Sequence, residues 1–247
     1  MWRKLVRSTL TVAVLVFATA AYAQLRDRTI SPVDLELVLA VDVSSSVDGE
    51  EFELQIKGLA EAFRNPAVVD AIELAGENGI AVALVQWSSW NSQQLSVDWM
   101  RVGDPGSAAA MADRIAAAAR FGDGGSTAIA GAIRFSTRQF EINGYEADRR
   151  AIDISGDGAA NQGAQPSQYR DIAVASGITI NGLAILNDNA QLDDYYAGHV
   201  IGGNAAFVMR ATDYRDFAEA ILHKLVREIA GPPIAGRPAS DQTAQRE

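Results

Sequence analysis

Three short segments contain the residue types that could do chemistry, and all three are rich in oxygen. They are Asp42-Val43-Ser44-Ser45-Ser46, Gly124-Gly125-Ser126-Thr127 and Ser155-Gly156-Asp157-Gly158. Together they offer two carboxylates and several hydroxyls, which are hard oxygen donors that suit Mg²⁺, Mn²⁺ or Ca²⁺ and do not suit zinc or copper. Because the carboxylates are few, we expect a small octahedral ion that keeps bound waters, with Mg²⁺ or Mn²⁺ preferred over Ca²⁺.

Each segment lies where a predicted strand ends or a predicted helix begins. Residues 35–43 form a nearly continuous apolar run, which is typical of a strand buried on both faces of a parallel sheet. A shorter predicted strand precedes the third segment, and a predicted helix over residues 128–140 follows the second. Residues at i, i+2 and i+4 can point to one side where a strand ends, so the first segment can present Asp42, Ser44 and Ser46 together.

Strands and helices alternate along the chain. Apolar or alternating runs predict further strands over residues 80–87, 94–102 (an edge strand), 178–186 and 205–211. Helical spacing predicts helices after Asp48 as far as Asn65-Pro66 and over residues 108–119, 167–176 and 213–229. This order predicts one doubly wound α/β domain over residues 31–230, with a mostly parallel sheet and one antiparallel edge strand. Ligands bind such sheets at the carboxyl ends of the strands.

The first residues predict an export signal rather than a part of the fold. Residues 1–23 combine a basic start, an apolar stretch and a small-residue cleavage pattern at Ala21-Tyr22-Ala23, so we expect the mature chain to begin at Gln24. No later segment is long and apolar enough to cross a membrane. We therefore expect an exported protein, periplasmic or extracellular. Residues 231–247, rich in Gly, Pro and polar types, predict a flexible tail.

Composition excludes several classes of function. The chain has no cysteine, which excludes disulfides, thiolate metal sites and cysteine nucleophiles. Without the three basic residues of the signal segment it carries 18 basic and 31 acidic residues, a net charge of −13. Such a charge repels nucleic acid and anionic membrane, so neither is an expected partner. No particular oligomeric state is predicted.

The three segments, in this order and on these elements, resemble the von Willebrand factor A-type domain. The shared pattern is strand-D-x-S-x-S, a later Gly-rich loop with Thr opening a helix, and strand-(S/T)-x-D-G, over residues 35–229. It looks closest to a branch of secreted bacterial single-domain forms of uncharacterised function. The resemblance implies a metal-ion-dependent adhesion site in which Ser44, Ser46 and Thr127 are hydroxyl ligands. It also implies that Asp42 and Asp157 act mostly through bound waters.

The function implied by the resemblance is cation-dependent binding without catalysis. The partner would be a protein or other ligand that supplies a carboxylate to the last coordination position. A net negative surface would repel such a partner at long range, whereas a desolvated Mg²⁺ offers a focused positive charge. Trp90, in the predicted turn over residues 88–92, is a candidate for a partner contact. Trp87 continues a buried strand and is expected in the core.

The enzymatic alternative is a Mg²⁺-dependent haloacid-dehalogenase-like phosphatase that uses Asp42. Such enzymes also place an aspartate after a buried strand, but their motif is Asp-x-Asp, and the second aspartate is the general acid. This chain has Ser44 there, and a hydroxyl cannot do that work because its pKa lies far above neutral pH. The sequence also lacks a Gly-Lys-Ser/Thr phosphate loop and a G-x-S-x-G elbow. It therefore favours a binding module.

Overall fold

The computed structural model describes residues 30–231, and its elements run from Ser31 to Ala230. The predicted signal segment, residues 1–23, lies outside the described residues, as does the predicted tail after Gly231. Within the described part of the chain, no helix is both long and apolar enough to span a membrane.

A six-stranded sheet forms the centre of the structure. Its strands are β2 (Leu35–Asp42), β3 (Ile80–Trp87), β4 (Gln93–Val102), β6 (Arg150–Gly156), β7 (Ile178–Ile185) and β8 (Val208–Ala211). They lie in the order β4-β3-β2-β6-β7-β8, and among these pairs β3–β4 alone is antiparallel. This confirms the predicted doubly wound α/β fold with its antiparallel edge strand. Every residue of β2 is buried, because its neighbours and the helices cover both of its faces.

Helices cover both faces of this sheet within residues 30–231. They are α1 (Gly49–Arg64), α2 (Pro66–Ala75), α3 (Pro105–Ala116), α4 (Ile129–Gln139), α5 (Pro166–Ala175), α6 (Leu192–His199) and α7 (Phe217–Ala230). Helices α1, α2, α3 and α7 pack on one face, where they meet Leu37 and Leu39 of β2. Helices α4, α5 and α6 pack on the other, where they meet Val38 and Ala40. Successive β2 side chains thus point alternately into two apolar cores, one on each face of the sheet.

Capping side chains set the limits of α1. Asp48 accepts a hydrogen bond from the Glu51 N–H at 2.8 Å, and the Glu51 carboxylate accepts one from the Asp48 N–H at 2.8 Å. Pro66 ends α1, as the sequence predicts. The sequence does not predict α2, which starts immediately after α1. It can start there because the Asn65 side chain accepts from the Ala67 N–H and because proline suits the first position of a helix.

Three further features differ from the sequence-based prediction. Helix α6 was not expected, nor was a short parallel pair between β1 (Ser31–Pro32) and β5 (Tyr145–Glu146). The last strand begins at Val208 rather than at residue 205. The reason is that Ala205 has a left-handed φ of 55°, which a strand cannot include.

A buried ion cluster fixes α7 against the middle of the sheet. Lys224 Nζ lies 2.6 Å from Asp153 Oδ1 of β6 and 3.2 Å from Glu228 Oε2. Asn181 of β7 donates from Nδ2 to Glu228 Oε1 at 2.6 Å. All four side chains are at most 4% exposed. Buried charges are tolerated when they are paired. These pairs also join α7 to β6 and β7.

Candidate metal centre

The structure brings the five predicted side chains together at the carboxyl ends of β2 and β6. Ser44 Oγ lies 3.1 Å from Ser46 Oγ, and Thr127 Oγ1 donates to Ser44 Oγ at 3.4 Å. Ser46 donates to Asp157 Oδ1 at 2.7 Å, and the Ser44 N–H donates to Asp42 Oδ1 at 2.7 Å. The oxygen atoms of all five side chains therefore lie in one cluster.

The loop after β2 supplies three of these residues. Asp42 is fully buried at the end of the strand, opposite Trp87 of β3. Its carboxylate accepts the N–H two residues ahead, an arrangement typical of aspartate at a turn, so the chain bends and returns Ser46 toward the cluster. Gln55 of α1 also donates to the Asp42 carbonyl at 3.2 Å. The strand end is thus anchored from the sheet and from the helix that follows.

Two glycines allow the second segment to pack directly against the first. Gly124 and Gly125 have φ of 95° and 125°, which other residues adopt only under strain. The Ser45 N–H donates to the Gly125 carbonyl at 2.9 Å, and the Gly125 N–H donates to Ser45 Oγ at 2.8 Å. A Cβ on Gly124 would lie 2.9 Å from Ser45 Oγ. The chain therefore has no room for a side chain at position 124.

Thr127 is positioned by a residue that the sequence analysis missed. The Thr127 N–H donates to Asn161 Oδ1 at 2.8 Å, and the Asn161 N–H donates to the Thr127 carbonyl at 3.0 Å. Thr127 is 5% exposed and precedes α4 by two positions. This reciprocal pair fixes the backbone at Thr127, so its hydroxyl points toward Ser44.

Asp157 follows β6 beside a glycine that the packing requires. A Cβ on Gly156 would lie 2.9 Å from Asp42 Oδ2 and 2.9 Å from the Tyr196 hydroxyl. Tyr196 and Tyr214 both present buried hydroxyls near the two aspartates. Burial first, and then the negative charges of the aspartates, raises the pKa of both hydroxyls above the usual range. Both tyrosines therefore stay neutral and retain a proton to donate.

The electrostatics of Asp42 indicate a carboxylate whose charge is only partly compensated, because the effect of burial exceeds that of the Arg120 charge. Burial, the largest cause, raises the pKa of Asp42 to about 7 against the opposing hydrogen bond from the Ser44 N–H, and the charge of Asp157 adds to the rise. A cation placed between the two carboxylates would reverse this shift, because opposite charge favours the ionised form.

The donor set fits a divalent cation. In the described part of the chain, Asp42 Oδ2 and Asp157 Oδ2 are buried and have no hydrogen-bond partner. Buried unpaired oxygens of this kind are unfavourable, and a hydrated cation would satisfy both. Residues 30–231 contain no group of three or more His, Cys, Asp or Glu side chains that could hold a metal. A cation at this cluster would therefore depend on the hydroxyls of Ser44, Ser46 and Thr127.

Two other missed residues support the first loop. The Arg120 guanidinium donates to carbonyls of residues 43–48. The Gln86 side chain, fully buried in β3, bonds to Ala119 and Phe121 on either side of Arg120. One signal was available in the sequence, because a lone glutamine in the apolar run 80–87 requires a hydrogen-bond partner in the core.

The two tryptophans near the cluster differ in their surroundings. Trp87 is fully buried, as predicted. Trp90 is half-buried in the turn after β3. The Arg134 guanidinium lies 4.4 Å from its ring centre, and the Tyr169 ring packs edge-on with 5.6 Å between the two ring centres. The Trp90 backbone N–H donates to Gln162 Oε1 at 2.7 Å. Trp90 therefore joins two loops beside the cluster, and a role in partner contact stays a prediction.

Solved structures share this fold. Proximal thread matrix protein 1 from the mussel byssus is 15% identical over 81% of this chain and 49% of that chain, with a TM-score of 0.57. One structure of it has a zinc-occupied MIDAS motif. The von Willebrand factor type A protein from Catenulispora acidiphila is 16% identical over 80% and 43% of the two chains, with a TM-score of 0.54. The pilus adhesin SpaC from Lactobacillus rhamnosus GG is 15% identical over 80% and 30%, with a TM-score of 0.56.

The chain therefore has the fold of a von Willebrand factor A-type domain, as its sheet order and flanking helices also indicate. The chain spans about half the length of the mussel protein. A comparison with curated proteins finds no match. The chain belongs to the family described as "Protein of unknown function (DUF1194)", which matches residues 32–233.

Proposed function

We propose that the protein is an exported adhesion module that binds one divalent cation through the five clustered side chains. The observation that carries the proposal is the pair of buried, unpartnered oxygens, Asp42 Oδ2 and Asp157 Oδ2, beside three hydroxyls. Ser44, Ser46 and Thr127 would bind the ion through their hydroxyls, while the two aspartates act mostly through bound waters. Hard donors with few carboxylates favour Mg²⁺ or Mn²⁺ over Ca²⁺.

The cation would supply the attraction for a partner. A bound ion adds a concentrated positive charge to a chain that is otherwise strongly acidic, so a carboxylate of a protein or other acidic ligand could complete its coordination. The similar fold of a pilus adhesin and the zinc-occupied motif of the mussel protein support adhesion through a divalent metal, although the hard donors of this chain favour Mg²⁺ or Mn²⁺ over zinc. Catalysis is not part of the proposal, and no comparison favours the phosphatase alternative.

Trp90 would contribute to the surface around the ion. The indole lies in the loop that follows β3, and this loop contacts the Thr127 segment through a 2.9 Å bond from the Ala128 N–H to the Ser88 carbonyl. Half-buried aromatic side chains are frequent anchors in binding surfaces. Trp90→Ala is expected to weaken partner binding while cation binding persists. Unchanged partner affinity would remove Trp90 from the binding surface.

Calorimetric titration with Mg²⁺, Mn²⁺ and Ca²⁺ tests the cation. Thr127→Val removes one hydroxyl and keeps the shape of the side chain, so the cation dissociation constant should rise about tenfold or more. Thr137→Val is the matched control, because the Thr137 hydroxyl bonds to the Ile133 carbonyl on α4. Wild-type protein that binds none of the three ions, or equal affinities for both variants and wild type, would refute the proposed site.

Partner binding and catalysis are tested separately. Capture from the envelope of the producing cell should occur with Mg²⁺ and disappear with EDTA or with Thr127→Val. Generic phosphatase substrates should show no turnover with Mg²⁺. Turnover that Asp42→Asn abolishes would replace the adhesion proposal with the phosphatase.

A further inference from the structure

One arginine contacts both ends of the loop that carries the clustered serines. Arg120 Nη1 donates to the Asp48 carbonyl at 2.7 Å. Arg120 Nη2 donates to the Val47 carbonyl at 2.6 Å and lies 3.3 Å from the carbonyls of Val43 and Ser44. Four carbonyls of residues 43–48 thus converge on one guanidinium. The loop backbone therefore curves around one side chain from another part of the chain.

A second side chain fixes the segment that bears this arginine. Gln86 Nε2 donates to the Ala119 carbonyl at 2.9 Å, and Gln86 Oε1 accepts from the Phe121 N–H at 2.7 Å. The amide therefore pairs with the residues immediately before and after Arg120. Because Gln86 is fully buried in β3, its own position is set by the sheet. The sheet, Gln86, Arg120 and the loop 43–48 form one connected series of contacts.

Other hydrogen bonds also restrain the loop in the described structure. Its backbone N–H groups bond to the Trp87 and Gly125 carbonyls, to the side chains of Asp42 and Glu51, and within the loop itself. Ser46 is exposed, and its hydroxyl contacts only side chains of the cluster. Octahedral ions such as Mg²⁺ tolerate little error in ligand position, so the carbonyl contacts of Arg120 bear directly on how well Ser44 and Ser46 are placed.

We propose that Arg120 is a positioning residue for the metal centre. Held by Gln86, it keeps the loop 43–48 in the conformation that binds a cation before any cation arrives. The inference rests on the proposed function above, since it concerns the same site. Arginine suits the role because its planar group offers several donors in a fixed arrangement, whereas the lysine ammonium is a compact charge on a flexible stem.

The direction in which the cation affinity of an Arg120 variant changes distinguishes a positioning role of Arg120 from an effect of its charge. Removal of a positive charge beside a cation site would by itself strengthen cation binding. Loss of a group that orients metal ligands weakens it, typically by about 10-fold to 100-fold. We therefore expect Arg120→Ala to raise the Mg²⁺ dissociation constant by about that factor, with a smaller rise for Arg120→Lys. Gln86→Ala should act in the same direction, and its effect should not add to that of Arg120→Ala.

The test combines calorimetric Mg²⁺ titration with hydrogen exchange of the loop amides in EDTA. Arg64→Ala is the matched control, because Arg64 is a partly exposed arginine of α1 that pairs with Asp113 away from the loop. In Arg120→Ala, the amides of Ser44, Ser45 and Val47 should exchange faster than in wild type and in Arg64→Ala. A merely structural role would lower the melting temperature and leave the cation affinity of the folded protein unchanged.

The outcomes distinguish the two proposals. Wild-type protein that binds no cation refutes the proposed function, and with it any role of Arg120 toward a cation. Wild-type protein that binds Mg²⁺ while Arg120→Ala binds it equally well or more tightly refutes the positioning role alone. Unchanged exchange of the loop amides in Arg120→Ala also refutes it.

Discussion

The Ser46 hydroxyl donates a 2.7 Å hydrogen bond to Asp157 Oδ1, although 111 positions separate the two residues in the chain. This bond joins the loop after β2 to the end of β6. It also orients one oxygen of Asp157 and leaves the other, Oδ2, buried without a partner in the described structure. The bond therefore fixes the relative positions of Ser46 and Asp157 across the cluster.

Asp157→Asn is expected to abolish cation binding and to stabilise the protein in EDTA. Asparagine keeps an oxygen that can accept from Ser46, but it removes one of two like charges buried beside each other, Asp42 and Asp157. The gain in the free energy of unfolding should be on the order of 1 kcal/mol. Thermal melts in EDTA and titration with Mg²⁺ measure both effects. A large loss of stability in EDTA would instead show that the Asp157 charge is needed for folding.

Cation affinity should fall as the pH falls below 7. Burial raises the pKa of Asp42 from 3.8 to about 7, so in the cation-free folded protein this carboxyl holds a proton that a cation must displace. With one proton displaced, the affinity at pH 5.5 should be about 25-fold weaker than at pH 7.5. Titration across this range, with proton release measured in buffers of different ionisation enthalpy, checks the value. An affinity that is flat across the range would contradict it.

Asp42 should also make the stability of the cation-free protein depend on pH, and in the opposite direction: cation affinity rises with pH, whereas stability falls. The folded pKa lies above the unfolded one, so the folded state binds the additional proton between pH 4 and pH 7. The contribution of Asp42 to the free energy of unfolding should therefore decrease as the pH rises through this window and then level off. Denaturant melts in EDTA of wild type and Asp42→Asn, compared at each pH, isolate this contribution.

Gly156→Ala and Gly158→Ala should differ although they flank the same aspartate. A Cβ at position 156 would lie 2.9 Å from Asp42 Oδ2, whereas one at position 158 would lie 3.6 Å from Thr127 Oγ1, an ordinary contact distance. We expect Gly156→Ala to weaken cation binding and to lower the free energy of unfolding by about 1–3 kcal/mol, as overpacking does. Gly158→Ala should change little. Equal effects in titrations and melts would show that space beside Asp42 does not matter.

Lys224→Met should destabilise the protein through the buried ion cluster rather than through the metal centre. The substitution leaves the carboxylates of Asp153 and Glu228 without their shared positive charge, which typically costs about 3–5 kcal/mol. Lys57→Met is the control, because Lys57 is an exposed residue 3.9 Å from Glu61 on α1 and should contribute less than about 0.5 kcal/mol. Denaturant melts compare the two. Similar small losses would mean that one carboxyl of the cluster is already neutral.

The sheet and the place of the candidate site could be predicted because local patterns carry them. The apolar run of β2 predicts a strand covered on both faces, and oxygen-rich segments at strand ends meet at one edge of a parallel sheet. Helix α2 escaped prediction because Pro66, which ends α1, equally well begins a helix. Its presence depends on a cap at Asn65 that serves both helices.

The supporting residues of the site could not be predicted because their roles arise from tertiary contacts. Arg120 contacts a loop more than 70 positions earlier, and no local pattern distinguishes it from other arginines. Asn161 in turn fixes Thr127 across 34 positions. Gln86 is the exception, since a polar residue within a buried strand indicates that something must bond to it, though not what.

The parallel pairing of β2 with β6 brings together Asp42 and Asp157, which lie far apart along the chain. An unfolded chain cannot gather these oxygens, so a cation that binds them binds the native state alone. Its binding free energy then adds to that of folding, by about 2.7 kcal/mol when the ion is present at a hundred times its dissociation constant. A cation bound at this site would thereby also lengthen the lifetime of the protein against unfolding and proteolysis.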